Sequence, residues 1–303
     1  MRRRYEVWFL RLGLADGSGA WWFRYLLTNL GQDGCSEQPQ AMPVQVWATW
    51  FPCNGKPKTF IQGFPVDNLE LSTRSRSPFH LQIGDNRIDE NSCRGTLHLD
   101  GHSISWDLAY RSSFRFILSS KGWIGFSRTP HSDATFSGKI TFDDHTVEGN
   151  PLGFGLQGHN CGYRHRKFWT WTHAYFDRGN QLPTTLEALQ YEMPFGLVFR
   201  KAVLWHRGVQ HLFGGVKGQV RKSDEEMRWD FACVAKTGLH LHATIRGSGA
   251  TTHRLPYLRT NCSGSFEVAN NSFAMATLEL QAPGLLKEML ETPAGAVLEM
   301  TGL

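Results

Sequence analysis

The sequence predicts an all-β fold made of two consecutive antiparallel barrels or sandwiches, with little helix. Three observations lead to this prediction. Short apolar and aromatic segments recur along the chain with turn residues between them, at the spacing of roughly eight to twelve residues that is typical of antiparallel β proteins. Several of these segments alternate in polarity with a period of two. A chain of 303 residues is more consistent with two such units than with one.

The first half of the chain predicts a series of short strands. They are aromatic or rich in β-branched residues and Leu, they are bounded by turn residues, and they cover residues 5–12, 20–28, 44–51, 60–64 and 79–83. Two hairpins follow. Residues 92–109 alternate on both sides of Asp100-Gly101, which is the strongest short hairpin signal, and residues 134–148 form a similar pair.

The second half of the chain predicts a second set of strands. They cover residues 184–193, 196–205, 228–234, 239–246, 265–268, 272–280 and 297–301. The stretch GLLKEMLE at residues 284–291 is the one segment with helical spacing. We predict a boundary near residue 165, which divides the chain into an N-terminal barrel at residues 1–165 and a C-terminal barrel at residues 166–303.

The most informative stretch lies near the middle of the chain. Trp169, Trp171, His173 and Tyr175 alternate with smaller residues, so they project from one face of a single strand. A polar and cationic cluster at residues 159–166 precedes them. An aromatic face beside a polar cluster predicts one wall of a ligand pocket, while the same four side chains also fit an ordinary barrel core.

Composition and charge argue against several classes of protein. The formal net charge is +5 and the basic residues are scattered, so we predict no nucleic-acid partner. No segment approaches the roughly 18 apolar residues of a membrane helix, so we predict no transmembrane segment; the mild positive charge leaves peripheral contact with an anionic membrane open. The six cysteines are widely separated and lack C-x-x-C spacing, which favours reduced thiols and a cytoplasmic location.

Several short motifs that bind phosphates or metals or carry a serine nucleophile are absent from the sequence. It contains no P-loop, no G-x-G-x-x-G that opens a helix, no G-x-S-x-G and no H-E-x-x-H. His240 and His242 share one face of a predicted strand, which amounts to half a metal site, but no third ligand is evident. We therefore predict neither a metal nor a cofactor.

Three segments together resemble the carotenoid 1,2-hydratase (hydroxyneurosporene synthase) family. Residues 6–9 (EVWF) resemble that family's E-W-W-Y opening, and residues 158–162 (GHNCG) resemble its H-N-W-G motif. Residues 169–171 (WTW) stand at the usual distance beyond that motif. Tocopherol cyclases, AttH-like proteins and fungal pericyclases are similar relatives. Cys161 is a departure, because the family usually has Trp there.

The resemblance implies a fold, a ligand and catalytic residues. The fold is two tandem lipocalin-like β-barrels, the ligand is a hydrophobic isoprenoid, polyene or polyketide in a barrel cavity, and no cofactor is used. His159 matches the family's His, which is implicated in water addition together with a Tyr and an acidic residue on the next strand. On that strand Tyr191 is the closest match for the Tyr, and Glu187 or Glu192, which lie on opposite faces, for the acid.

Addition of water to an alkene requires a strong acid in a dry site. A carboxylic acid with apolar surroundings keeps its proton at neutral pH, and aromatic faces stabilise a carbocation. We therefore predict His159, Glu187 and Tyr191 as the catalytic residues of a hydratase, cyclase or isomerase. The predicted substrate-binding residues are Trp8, Asn160, Trp169, Trp171, His173 and Tyr175.

Two other roles stay open at this point. The protein could be a lipocalin-like carrier that binds such a molecule unchanged, or a structural protein with filled barrels. A buried carboxyl that converges with His159 favours the enzyme, whereas an apolar cavity with Glu187 outside it favours the carrier. Glu6 also fits a structural anchor that binds Arg164 or Arg166.

Overall fold

Twelve strands form the first sheet in the computed structural model, which describes residues 5–30, 42–72, 79–117, 125–179, 181–261 and 263–302. They are β1 (Tyr5–Leu14), β2 (Gly19–Thr28), β3 (Val44–Pro52), β4 (Lys58–Phe64), β5 (Leu69–Ser72), β6 (His80–Ile83), β7 (Asn86–Asp89), β8 (Ser92–Leu99), β9 (His102–Arg111), β10 (Phe116–Ile117), β11 (Gly125–Phe142) and β12 (His145–Gly162). The hydrogen-bonded order is β4-β3-β2-β1-β12-β11-β9-β8-β7-β6-β5, and β10 pairs with β11.

Nine strands form the second sheet. They are β13 (Trp169–Phe176), β14 (Thr184–Glu192), β15 (Val198–His206), β16 (Val209–Lys222), β17 (Glu226–Ala235), β18 (His240–Ser248), β19 (His253–Leu258), β20 (Ser265–Gln281) and β21 (Glu288–Thr301). Because β18 also pairs with β20, eight of these strands close into a barrel, and β19 lies on its edge. The helical content of the described residues is limited to 3₁₀ turns at Val66–Asn68, Pro194–Gly196 and Gly249–Thr251.

The first sheet curls into a half-barrel. Its edge strand β4 approaches β8, an interior strand of the same sheet, where the side chain of Gln62 on β4 accepts a hydrogen bond from the backbone N–H of His98 on β8, at 3.4 Å. The second sheet is the closed barrel, so the chain has the predicted all-β fold of two tandem lipocalin-like units. The predicted boundary at residue 165 falls between β12 and β13, and it stays a prediction.

Alternation along β1 places its side chains in two different cores. Trp8, Leu10 and Leu12 point into the curled first sheet, whereas Val7 and Phe9 point toward the second sheet. Side chains of both sheets meet there in one apolar cluster, which includes Trp22, Trp171, Tyr257 and Val297. We call this contact between the two sheets the seam.

Arg11 on β1 ties the two sheets together across the seam. Its guanidinium donates to backbone carbonyls of the second sheet, at 2.8 Å to Ser272, 2.5 Å to Ala294 and 3.3 Å to Gly295. Burial lowers the pKa of Arg11 to about 9. Since buried carbonyls need donors, this one side chain satisfies several groups that the seam would otherwise leave unpaired.

Several sequence-based assignments were wrong in detail. The helix predicted at residues 284–291 is instead a turn that leads into β21, and Gly284 there has a positive φ of 72° that ends β20. The hairpin at residues 134–148 is much longer, because β12 continues to Gly162. The strands β16 and β19 were missed, since exposed polar residues and a proline obscure their alternation. Among the described residues, no helix is long and apolar enough to span a membrane.

Candidate functional site

His159 lies on β12, directly opposite Trp8 of β1 and Arg128 of β11. Directly opposite side chains of neighbouring strands project from the same face, so its imidazole points into the curled first sheet. The ring is 3% exposed and stacks on Trp8 with 4.4 Å between centroids, while Phe126 meets it edge-on at 4.9 Å. Trp8 also stacks on Phe79 at 5.4 Å. Two aromatic rings therefore contact the imidazole, and a third packs against one of them.

Hydrogen bonds fix the tautomer of this imidazole. The guanidinium of Arg128 donates to Nδ1 of His159, at 2.9 Å from Nε and 2.7 Å from Nη2. A guanidinium only donates, so Nδ1 carries no proton and Nε2 does. Nε2 then donates to Oε1 of Glu6 at 2.9 Å. We call Glu6, Trp8, Phe126, Arg128 and His159 the His159 site.

The His159 site is in contact with solvent on one side. The side chain of Glu6 is 15% exposed, and Arg128 is exposed. A carboxylate that accepts from an imidazole N–H, while a guanidinium holds the other nitrogen of that imidazole, is arranged to accept a proton and return it. The sequence indicated His159, but it gave Glu6 a structural role with Arg164 or Arg166; the structure places Glu6 against His159.

The predicted aromatic face belongs to β13 and forms part of the seam. Trp171 is buried and meets Phe9 and Trp22 of the first sheet edge-on, with centroids 5.7 and 5.9 Å apart. Tyr175 stacks on Phe154 at 5.0 Å. These rings therefore pack the two sheets against each other, and their role in binding a substrate stays a prediction.

Glu187 lies on β14, opposite His173 of β13, and is 2% exposed. Its Oε1 accepts from the indole N–H of Trp171 at 3.0 Å, and its Oε2 accepts from the hydroxyl of Thr129 at 2.7 Å. Burial raises the pKa of Glu187 to about 7, and these two hydrogen bonds lower it only in part. Of the two candidate carboxyls on β14, Glu187 is therefore the buried one, and Glu192 is half-buried.

His173 shares the seam with Glu187. Its Nε2 donates to the carbonyl of Ser132 at 2.7 Å, so the other ring nitrogen carries no proton. That nitrogen, Nδ1, is shielded from solvent and has no hydrogen-bond partner among the described residues. Burial lowers the pKa of His173 to about 3, which keeps the ring neutral. We call Thr129, Trp171, His173 and Glu187 the Glu187 site.

The structure does not bring His159 and Glu187 together. Arg128 and Thr129 are successive residues of β11, and they contact His159 and Glu187 respectively. Because successive strand side chains point to opposite faces, the two sites lie on opposite sides of the first sheet. The convergence of His159 with a buried Glu187, which would favour the enzyme, is therefore not observed, and the carboxylate beside His159 is that of Glu6. The assignment of Glu187 as a catalytic residue stays a prediction.

Tyr191 and Asn160 lie away from the residues with which they were grouped. Tyr191 is on the same strand as Glu187 but four residues farther along, about 13 Å at the usual strand rise. It stacks on Phe199 at 4.9 Å. Asn160 follows His159 on β12 and projects from the opposite face, with Val7 as its cross-strand neighbour.

Sequence reasoning missed a second buried carboxyl at the seam. Glu299 on β21 accepts hydrogen bonds from Trp169 at 3.0 Å, Tyr257 at 2.8 Å and Asn270 at 3.1 Å. The available signal was one carboxylate within the otherwise apolar strand VLEM at residues 297–300. The indole N–H groups of Trp169 and Trp171 thus each hold a separate buried carboxyl.

In the part of the chain that the structure describes, no three His, Cys, Asp or Glu side chains are grouped so that they could hold a metal ion. The groups available for chemistry at the two sites are therefore carboxyls, imidazoles, one guanidinium and aromatic rings. Such groups transfer protons, stabilise charge and pack against the apolar parts of a ligand.

Comparison with known proteins places the chain among tandem-barrel proteins with the AttH-like fold. A candidate AttH protein from Nitrosomonas europaea is 13% identical, with a TM-score of 0.55 over 99% of this chain and 92% of that one. Kievitone hydratase from Nectria haematococca is 10% identical, with a TM-score of 0.56 over 98% of this chain and 88% of that one. No protein-family model matches the chain, and no curated protein matches its sequence.

Proposed function

We propose that the protein is an enzyme of the hydratase, cyclase or isomerase type that acts without a cofactor on a hydrophobic isoprenoid, polyene or polyketide. Glu6 and His159 form its acid–base pair. The observation that carries the proposal is the hydrogen-bonded chain Arg128–His159–Glu6, which fixes the imidazole tautomer and presents a carboxylate among aromatic rings. Two solved structures with the same fold add support, because one of them is a hydratase.

The charges at the His159 site favour one kind of proton transfer. A guanidinium within the site disfavours a carbocation there and stabilises negative charge. The best substrate is therefore one whose double bond is conjugated to a carbonyl. In isomerisation, Glu6 takes a proton from carbon, the electron pair moves to the carbonyl oxygen near Arg128, and the proton returns at another carbon. In hydration, Glu6 takes the proton of the attacking water and returns it to the α-carbon.

Glu187 is the second candidate acid. Its raised pKa gives it the proton that an alkene hydratase needs, and Trp171 supplies an aromatic face. We rank it second because it is buried in the packed seam, whereas Glu6 reaches solvent. Tyr191 lies four residues beyond Glu187 on β14, and Glu6 lies on a different strand. We therefore give Tyr191 no role in this reaction.

The test begins with the molecule that the protein binds. The full chain is expressed in a host that makes terpenoids and polyketides, and the co-purified ligand is identified by native mass spectrometry. That ligand is then incubated with the protein in deuterium oxide. We expect deuterium at a carbon of the ligand or the mass of one added water. A ligand that binds and returns without deuterium, without change of mass and with an unchanged NMR spectrum would assign the protein as a carrier.

A further inference from the structure

A solvent-open groove of about 710 Å³ lies at one end of the closed second barrel, away from both sites described above. The connections β13–β14, β15–β16, β17–β18 and β20–β21 all lie at this end. Two of these turns are in close contact. Gly238 lies in the β17–β18 turn and Pro283 in the β20–β21 turn, and a Cβ added at Gly238 would lie 2.8 Å from Cγ of Pro283. The volume falls within the roughly 300–1,000 Å³ that is typical of small-molecule sites, and barrel mouths are common places for them.

The groove has an apolar floor and an apolar rim. Leu239 and Leu280 form the floor, and both belong to the interior core of the barrel. Leu285 and Leu286 form the rim on the turn between β20 and β21, and they are 64% and 96% exposed. Leucines exposed to this degree beside an apolar hollow gain free energy when an apolar body covers them.

One charged cluster lies at the edge of the groove. The carboxylate of Glu288 binds Arg178 at 3.1 Å and Arg207 at 2.9 Å, and Nε2 of His206 lies 3.3 Å from it. Burial lowers the pKa values of His206 and His211. Two guanidiniums against one carboxylate therefore leave one positive charge at the edge of an apolar hollow.

Two polar atoms at this edge also lack partners. Nη1 of Arg178 and Nδ1 of His211 are shielded from solvent and have no hydrogen-bond partner among the described residues. Shielded polar atoms are usually paired, so the described residues leave two polar groups unsatisfied beside this edge of the groove. The accessible donor is the guanidinium of Arg207, whose side chain is 61% exposed, and His211 lines the groove together with it. A ligand carboxylate can accept from this guanidinium.

We propose that this groove binds an amphiphilic carboxylate, with its apolar chain along Leu239, Leu280, Leu285 and Leu286 and its carboxylate at Arg207 and His211. The ligand carboxylate matches the net positive charge of the cluster of Arg178, Arg207 and Glu288, and the ligand's chain covers the exposed leucines. The groove is a second binding site, independent of the Glu6–His159 pair, and the proposal does not rest on the proposed reaction.

Calorimetric titration of the full chain tests this proposal with decanoate, decan-1-ol and decylammonium. We expect saturable binding of one decanoate, with decan-1-ol about fivefold weaker or more and decylammonium weaker still, because each lacks the carboxylate. Arg207→Gln should weaken decanoate about fivefold and leave decan-1-ol unchanged. Equal affinity for all three probes, or no effect of Arg207→Gln on decanoate, would overturn the assignment of the charged edge.

The exposed leucines allow a matched control. Leu285 is 64% exposed at the groove, and Leu197 is 63% exposed on the turn between β14 and β15. Leu285→Ser should weaken both decanoate and decan-1-ol about fivefold, whereas Leu197→Ser should change neither. Sedimentation of the protein with phosphatidylglycerol vesicles, combined with no saturable decanoate binding, would overturn the proposal and assign the leucines to a lipid surface.

Discussion

The His159 site and the Glu187 site each contain a glutamate, but the neighbours of the two glutamates differ. Glu6 accepts from an imidazole whose other nitrogen is held by a guanidinium, and it reaches solvent. Glu187 accepts from an indole N–H and a hydroxyl, both neutral, and it is buried. The same side chain is thus set up as a base at one site and as a neutral acid at the other.

The first prediction separates the two sites by activity and carries the largest expected effect. Glu6→Gln and His159→Gln should each lower the turnover of the identified ligand by about 10²–10⁴-fold, the usual contribution of a general acid or base. Glu6→Gln removes the carboxylate that accepts the proton, and His159→Gln removes the imidazole N–H that holds this carboxylate in place. Turnover and deuterium incorporation from deuterium oxide are the measurements.

Glu187→Gln decides between the two candidate acids in the same assay. If the His159 site carries the reaction, Glu187→Gln keeps turnover within a few-fold of the wild type. A loss as large as that of His159→Gln would move the chemistry to the seam. Glu267→Gln, at a half-exposed surface carboxylate, is the control for the loss of any one carboxylate.

The second prediction concerns stability and the raised pKa of Glu187. In the unfolded chain this carboxyl loses its proton near pH 4.5, but in the folded chain only near pH 7. The folded wild type therefore loses stability as the pH rises between these values. Glu187→Gln does not titrate, and its amide can accept from Trp171 and donate to Thr129. At pH 8 the variant should be more stable by about 3 kcal/mol, measured by urea unfolding.

The acidic side of the same titration is the internal control. Below pH 4.5 the Glu187→Gln variant and the wild type should differ little, because the carboxyl is neutral in both folded and unfolded chains. A constant difference at all pH values would mean that Glu187 is ionised in the folded protein. The Glu187 site would then lack the neutral acid that distinguishes it from the His159 site.

The fold was predictable because alternation is a local signal. The face formed by Trp169, Trp171, His173 and Tyr175 was predicted from spacing alone, and β13 has that face. The tandem-barrel layout followed from the strand series and from a family resemblance. Closure of the second barrel through β18 and β20 was not predictable, since it depends on pairing between strands that are not adjacent in sequence.

The contents of the sites were harder to predict, for a related reason. Glu6 and His159 are 153 residues apart and meet only through the register of β1 against β12. A shift of that register by one residue would point either side chain into the seam. The resemblance located His159 but took its acid from the next strand, where Glu187 faces away. The groove near Leu285 was missed because its two leucines supported a helix.

The third prediction addresses His173 of the Glu187 site, whose Nδ1 has no hydrogen-bond partner among the described residues. The unfolded chain binds a proton at His173 below pH 6.5, whereas the folded chain does so only near pH 3. The wild type therefore loses stability as the pH falls through this interval, opposite in sign to Glu187. His173→Gln keeps a donor for the carbonyl of Ser132 and does not titrate. Between pH 8 and pH 5 it should gain about 2 kcal/mol relative to the wild type.

Urea unfolding at the two pH values measures this gain, and His98→Gln is the matched control because His98 is exposed. The control should keep a nearly constant difference from the wild type. If His173→Gln behaves like the control, the folded protein binds a proton at His173 at pH 5. Its Nδ1 would then have a partner, and the Glu187 site would carry charge.

The smallest expected effect tests whether the two sites are independent across β11. Thr129→Val removes the hydroxyl that donates to Glu187 at 2.7 Å and keeps the side-chain volume. Loss of a donor to the ionised form should raise the pKa of Glu187 by about one further unit, or about 1 kcal/mol. The measurement is the difference in unfolding free energy between Thr129→Val and Thr129→Val/Glu187→Gln as a function of pH. This difference should go on changing up to about pH 8, whereas the difference between the wild type and Glu187→Gln should stop changing at about pH 7. Turnover should stay within about twofold of the wild type, because Arg128 and His159 lie on the other face. A fall in turnover comparable with that of Glu6→Gln would show that β11 couples the two sites into one.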